Sequence, residues 1–330
     1  MVTQKEVKLK LKQLDKYLLK EYKEKFSTKK KNAPDYDNNF HERIKYAVKN
    51  LSRLIKEATQ NIIQMKSVGC PQKLTLEQKL KLILIKQIMD KSNRLTSDLL
   101  EIFSLMFNID VSYKYIERLY SDEEVKLALC NLSMLIIKEK GIKEIDCCGD
   151  ATGYSLTVTK HYCSYATKLK EKSKIARIGR KKQFVYKFTL MDLESKMYVC
   201  YGSSLRSERD AYNKAILMLE KTSIKINSIR LDRYYSGPST VKQFGNATCY
   251  LIPKKNVSLR NGLKWNEMLT RFVKDTFGYL KEYFRRNNSE AGFSVDKKLF
   301  GQKISQKRED RIDTAIFCKV IWRNLFLLGA

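Results

Sequence analysis

The chain has two histidines, His41 and His161, and none of its eight cysteines forms a C-x-x-C pair. His161 and Cys163 offer two zinc ligands, but no complete zinc site is visible in the sequence. Cys70, Cys130, Cys147, Cys148, Cys163, Cys200, Cys249 and Cys318 are expected to be reduced, buried thiols of a cytosolic protein, several of them inside apolar, strand-like runs. No segment reaches roughly 18 uninterrupted apolar residues, so no transmembrane helix is expected. Met1 to Lys20 is charged at almost every second or third position and lacks the apolar run of a secretory signal. A cytoplasmic location and no membrane partner are therefore expected. Prolines number only four, and no internal repeat is apparent. Acidic residues are also scarce, 36 against 65 Lys and Arg, which gives a net charge of +29. An excess of that size creates a long-range positive field and favours a polyanionic partner.

What remains is globular. The 330 residues are 43% hydrophobic, enough for one large or two ordinary cores. Residues 1 to about 140 read as helix after helix. Lys5 to Glu24 sets Val7, Leu9, Leu11, Leu14, Leu18 and Leu19 among lysines in an amphipathic pattern. Lys29 to Asn39, with turn formers and a proline, reads as a linker. His41 to Met65 reads as a second helix, ended by Gly69-Cys70-Pro71. A capping box, Thr75 to Gln78, opens a helix to about Met89, and another, Ser121 to Glu124, opens one that Gly141 stops. Between them, residues 96–120 have the layout of a helix-turn-helix: an apolar helix from Thr96 to Phe107, a turn at Asn108-Ile109-Asp110, and a short helix capped by Ser112. That short helix bears Lys114, Tyr115 and Arg118, with Lys114 and Arg118 as candidate DNA contacts.

The pattern changes after Gly141. Ile142 to Gly149 reads as a strand, and Gln183 to Asp192 with Lys196 to Ser203 as a hairpin. A helix capped by Ser207 follows to about Glu220. Ile226 to Leu231 and Thr248 to Ile252 are further strands, and the chain from Trp265 is helical nearly to its end. Three strands before the first helix imply an antiparallel meander, extended by parallel strands through crossovers. The expected fold is α/β: an RNase H-like mixed sheet flanked by helices over residues 141–330, preceded by an all-α, DNA-binding region over residues 1–140.

A two-metal phosphoryl-transfer site needs about three carboxylates converging from separate elements, holding two Mg2+ ions roughly 4 Å apart. Asp150 ends the first predicted strand and Asp232 the fourth, and these strands are neighbours in an RNase H-like sheet. The third carboxylate is expected from the late helix. There Tyr283, Arg286, Glu290 and Lys297 are spaced by 3, 4 and 7 residues, which lines them along one helical face. Asp146, on the same strand face as Asp150, is an alternative first carboxylate. Asp150 is preferred because it sits at the strand end and is followed by Ala-Thr-Gly.

Tyr-x2-Arg-x3-Glu-x6-Lys at Tyr283, Arg286, Glu290 and Lys297 resembles the motif around the catalytic glutamate of DDE transposases from bacterial and archaeal insertion sequences. Asp150-Ala151-Thr152 is similar to that family's first motif and Asp232-Arg233-Tyr234-Tyr235-Ser236 to its second, with Tyr234 where a glycine is common. Phe293 to Gly301 and Trp322-Arg323-Asn324-Leu325 are also similar, so the resemblance covers roughly residues 140 to 330. It implies two Mg2+ or Mn2+ ions on Asp150, Asp232 and Glu290 and nicking of double-stranded DNA at the element's terminal inverted repeats. Strand transfer into target DNA would follow, within a homodimer associated with a prokaryotic nucleoid. It also implies that Tyr283, Arg286 and Lys297 hold the DNA strand, which agrees with the capacity of Arg286 and Lys297 to neutralise phosphate.

Lys160 to Lys187 contains ten basic residues, Lys181 and Lys182 among them, and one acid. Such spaced charge suits a loop that tracks a DNA backbone. The competing readings are a catalytically silent or domesticated transposase that only binds DNA, and an RNase H-like nuclease that cuts without joining.

Overall fold

The computed structural model describes residues 3–14, 33–63, 73–93, 96–97, 99, 111–157, 184–254, 257–259 and 262–329. The N-terminal part is helical: α1 (residues 4–14), α2 (Ala33–Thr59), α3 (Leu76–Met89), α4 (Tyr113–Leu119) and α5 (Glu123–Glu139). The Thr75–Gln78 capping box opens α3 as expected, with both reciprocal bonds present. Ser112 caps α4. On α5 the cap is Asp122 and not Ser121: its carboxylate accepts the amides of Glu124 (3.0 Å) and Val125 (3.2 Å). A carboxylate at that position also complements the positive helix end. The linker expected over Lys29–Asn39 is corrected from Ala33 onward, where α2 already runs; Pro34 lies in its first turn, where a missing amide costs nothing. Residues 15–32 and 64–72, including Gly69-Cys70-Pro71, fall outside the described residues.

The second part holds the sheet. β1 (Glu144–Leu156), β2 (Phe184–Asp192) and β3 (Tyr198–Ser204) form an antiparallel meander. The β2–β3 hairpin closes where Asp192 Oδ2 accepts both the amide and the hydroxyl of Ser195 at 2.7 Å, and Lys196 adopts a left-handed φ of 61°. Helix α6 (Glu208–Glu220), capped by Ser207, crosses back to β4 (Lys225–Leu231), which pairs parallel with β1. A 3-10 turn (Arg233–Tyr235), α7 (Pro238–Gln243) and β5 (Thr248–Tyr250), parallel to β4, follow. The strand order is β3-β2-β1-β4-β5, and a short β6 (Lys303–Ile304) pairs with the far end of β1. This mixed six-stranded sheet, flanked by helices and preceded by a helical region, is consistent with the expected RNase H-like fold.

The late chain is helical but not continuous. It comprises α8 (Leu263–Lys274), α9 (Thr276–Phe284), α10 (Asn287–Phe300) and, after β6, α11 (Glu309–Leu328). Helix α11 is buried along most of its length, its polar Lys319, Arg323 and Asn324 included. It shares one core with α2, α3, α5 and one sheet face, through Leu54, Leu84, Leu132, Ile316 and Ile321. The other face packs on α6, α8 and α9 through Phe188, Tyr212, Ile229 and Phe272, and Val7 of α1 joins this core. Strand β3 is a sheet edge whose open backbone groups need partners. Asn324 of α11 supplies them at Tyr198: it accepts the amide at 2.9 Å and donates to the carbonyl at 2.8 Å.

Five of the expected buried thiols are buried and free, namely Cys147, Cys148, Cys200, Cys249 and Cys318, while Cys130 is exposed. Cys70 and Cys163 lie outside the described residues. Among the described residues, no helix is long and apolar enough to cross a membrane.

Candidate active site

The parallel ladder between β1 and β4 ends at the pair Gly149–Leu231. Asp150 and Asp232 are the next residue of each strand, so the two carboxylates leave adjacent strands side by side. Asp150 was expected at the end of β1, but β1 continues to Leu156, paired with β2 and then β6. What ends at Asp150 is the ladder with β4. Asp232 caps the 3-10 turn after β4, accepting the Tyr234 amide at 3.4 Å. That turn is held from beneath by Tyr235, which is buried against the rings of Phe188 and Tyr212 and donates its hydroxyl to Glu208 at 2.6 Å. Asp146, the alternative first carboxylate, lies nearer the start of the ladder and accepts the Ser228 hydroxyl there.

Glu290 stands in the first turn of α10, beside the two aspartates. One tie to β1 is made by its neighbour Ser289, which is wholly buried and donates to Cys148 Sγ at 3.0 Å, two residues before Asp150. A deeper one is made by Asp296, also wholly buried, which accepts Lys187 Nζ from β2 (3.1 Å), the Tyr198 hydroxyl from β3 (2.9 Å) and Arg323 Nη1 from α11 (2.8 Å).

All three carboxylates meet one guanidinium. Arg286 Nη1 lies 3.5 Å from Asp150 and 3.2 Å from Glu290, and Nη2 lies 3.7 Å from Asp232. The four-residue face expected on one helix is broken: α9 ends at Phe284, α10 begins at Asn287, and Arg286 is the cap between them. Arg286 and Glu290 nonetheless keep an i,i+4 relation, because Arg286 has helical dihedrals. Tyr283 is buried, and the Arg286 guanidinium carbon lies 5.6 Å from its ring centroid. The tyrosine thus backs the arginine and turns no open face to solvent. Lys297 is half-buried, its ammonium 5.6 Å from the ring of Tyr154.

Burial raises the pKa of the Asp150 carboxyl to about 6; the Ala151 amide and Arg286 oppose the rise, and Asp232 and Glu290 add to it. Three carboxylates against one guanidinium leave an excess of two negative charges when all are ionised. Hard oxygen donors with excess negative charge are what Mg2+ or Mn2+ requires, so the donor set suits those ions in kind. Among the described residues, no three His, Cys, Asp or Glu side chains are drawn closely enough together to hold an ion, and here the guanidinium bridges the three acids.

The remaining sequence candidates fall elsewhere. Lys114 and Arg118 are exposed on α4. Most of the first helix of the expected helix-turn-helix, and its turn, lie outside the described residues, as do Lys181 and Lys182. Lys187, counted with the basic run, is not a surface cation: it is wholly buried and paired with Asp296. Among the other cations near the late helices, Arg311 pairs with Glu117, Arg308 with Asp310 and Arg285 with Glu282. The supporting residues Asp296, Tyr198, Ser289 and Glu208 carried no spacing signal. Arg323 and Asn324 lay within the stretch similar to the family's C-terminal helix.

The fold and site together define an α/β protein with a carboxylate cluster at the end of its central parallel ladder. The sequence is 46% identical over 284 residues to a probable transposase for insertion sequence element ISA1214 of Archaeoglobus fulgidus, an alignment covering 86% of this chain and 84% of that one. The chain belongs to the family of insertion-sequence transposases. No family model matches the sequence, and no solved structure matches it.

Proposed function

We propose that the chain binds the double-stranded ends of its insertion sequence, cuts them in a metal-dependent reaction and joins them to target DNA. The observation that carries this reading is the convergence of Asp150, Asp232 and Glu290, from β1, β4 and α10, around the single guanidinium of Arg286. These three residues would hold two Mg2+ or Mn2+ ions. Bound there, such ions supply positive charge at the attacking and leaving oxygens of a phosphodiester. In the first step water attacks the scissile phosphorus, the bond to the 3′-oxygen breaks, and that oxygen leaves as a hydroxyl. In the second step this hydroxyl attacks a target phosphodiester and displaces its 3′-oxygen, so one ester bond forms for each one broken.

The chain's own cations serve the substrate. Arg286 and Lys297 neutralise phosphate oxygens, and Tyr283 and Tyr154 hold them in place from below. Asp296 and Ser289 fix α10 so that Glu290 stays level with the two aspartates. Residues 1–140, with Lys114 and Arg118, are read as the region that binds element ends, and residues 141–330 as the catalytic domain, acting within a dimer.

The test is incubation of the purified chain with DNA carrying the ends of its element and Mg2+ or Mn2+. Nicked and joined products are expected from the wild type. Asp150→Ala, Asp232→Ala and Glu290→Ala are expected to abolish both products while DNA binding survives. Full activity after Asp232→Ala would overturn the assignment. Loss after Asp146→Ala with retention after Asp150→Ala would move the first carboxylate to Asp146. Nicking without joining would identify a nuclease, and binding alone a silent relative.

A further inference from the structure

The arginine at the centre of the carboxylates is held in a way that suits exchange. None of its three contacts, at 3.2, 3.5 and 3.7 Å, reaches the 2.7–2.9 Å of a strong charge-assisted hydrogen bond. Its Nε is buried without a hydrogen-bond partner. The side chain is nevertheless only 19% exposed, so the guanidinium gives up most of its hydration for these loose contacts. It projects from the junction of α9 and α10, where its backbone is ordinary helical geometry with φ −57° and ψ −27°. Its several side-chain torsions can therefore move the charge without disturbing either helix. The ring of Tyr283 lies below the guanidinium, its centroid 5.6 Å from the guanidinium carbon. A planar guanidinium is also a preferred partner for phosphate, which it can grip through two parallel bonds.

We infer that Arg286 stands in for the divalent cations in the DNA-free protein, and that a DNA phosphate at the site draws it off the carboxylates. Cation loading is thereby coupled to DNA. This inference rests on the carboxylates being the cation site. Its physical content is a competition: Arg286 and a divalent ion cannot both occupy the space between Asp150, Asp232 and Glu290 without repulsion. Phosphate resolves it by giving the guanidinium another anion. Linkage then requires that whatever DNA does for cation affinity, cations do equally for DNA affinity.

The experiment measures Mn2+ binding to the full chain by the paramagnetic resonance of free Mn2+. It is run with and without a duplex carrying the DNA that borders the coding region, and the ions taken up by that duplex alone are subtracted. Circular dichroism reports the fold of each variant. Arg286→Gln without DNA is expected to bind Mn2+ about tenfold more tightly than the wild type, within the range of ordinary coupling. DNA is expected to tighten binding to the wild type and to leave Arg286→Gln nearly unchanged. Arg286→Lys, which keeps the charge, is expected to bind Mn2+ more weakly than Arg286→Gln. Equal affinities for wild type and Arg286→Gln, with binding abolished by Asp150→Asn, would overturn the competition and leave the cation site standing. Absence of Mn2+ binding from every form, with and without DNA, would overturn the cation site itself.

Discussion

Lys187 Nζ and Asp296 Oδ2 lie 3.1 Å apart with neither side chain exposed to solvent. Burial alone would raise the Asp296 pKa, but Lys187 and Arg323 hold it below the ordinary carboxylate value. The Lys187 pKa is lowered, chiefly by its own burial. The pair fastens α10, which carries Glu290 and Lys297, to the meander. Asp296→Ala would leave Lys187 and Arg323 as buried, uncompensated cations, a loss of about 3–5 kcal/mol. Lys187→Met combined with Asp296→Asn should cost less than Asp296→Ala alone, because the first removes one of the stranded charges and the second keeps a hydrogen-bond acceptor. Chemical denaturation of the three proteins decides the matter. A cost below about 1 kcal/mol for Asp296→Ala, the scale of a surface pair, would mean that water reaches this cluster.

Strand β3 and helix α6 touch backbone to backbone at Gly202. A Cβ there would meet the Ala211 carbonyl oxygen and lie 2.5 Å from the Ala215 amide nitrogen. Neither atom can yield without moving the helix. Gly202→Ala is therefore expected to destabilise the chain by about 1–3 kcal/mol or more. At Gly153 the nearest atom is a Phe184 ring carbon, at 2.9 Å, which a rotation of the side chain can relieve. Gly153→Ala should cost clearly less. Denaturation midpoints that rank the two variants the other way would refute this account of the β3–α6 contact.

Lys319 is wholly buried on α11 and donates to the carbonyls of Phe300 (2.7 Å), Gly301 (3.0 Å) and Lys303 (3.3 Å). Burial lowers its pKa from an ordinary 10.5 to about 8; Asp90 and Asp296 oppose this, while Lys187 and Lys86 reinforce it. Between those two values the unfolded chain holds a proton that the folded chain has released. Raising the pH through this window therefore favours the folded state. The stability of the wild type relative to Lys319→Met should rise by about 1 kcal/mol per pH unit between about pH 8 and pH 10. Referencing to the variant removes the contribution of tyrosines and cysteines titrating in the same range. A flat difference across that window would show the ammonium to be solvated.

Much of the frame was legible because it depends on local rules. Thr75, Ser112 and Ser207 cap the helices they were expected to cap, and the adjacency of β1 and β4 follows from strand order, which sets Asp150 beside Asp232. What local rules miss is tertiary. Lys187 looks like one more charge in a basic run, yet β2 is covered on both faces, and Asp296, 109 residues away, with the rings of Tyr198, Phe293 and Tyr154, makes the burial tolerable. The helix break at Arg285 and Arg286 interrupts an otherwise regular spacing with neither proline nor glycine to announce it. Ser121 and Asp122 are both good caps, and the carboxylate wins by accepting two amides.

Helix α4 gives the most direct test of the proposed DNA contact. Ile116 and Leu119 are buried and fix one face of α4, while Lys114 and Arg118, four residues apart, share an exposed face. Each cation that neutralises a phosphate releases condensed counterions and contributes roughly one unit to the slope of log affinity against log salt. Lys114→Ala combined with Arg118→Ala should therefore lower that slope by roughly two units and weaken binding to element ends and unrelated duplex alike. A loss confined to element ends would instead assign these side chains to base edges. An unchanged slope with unchanged affinity would remove α4 from the DNA interface and leave the charge excess of the chain to act elsewhere.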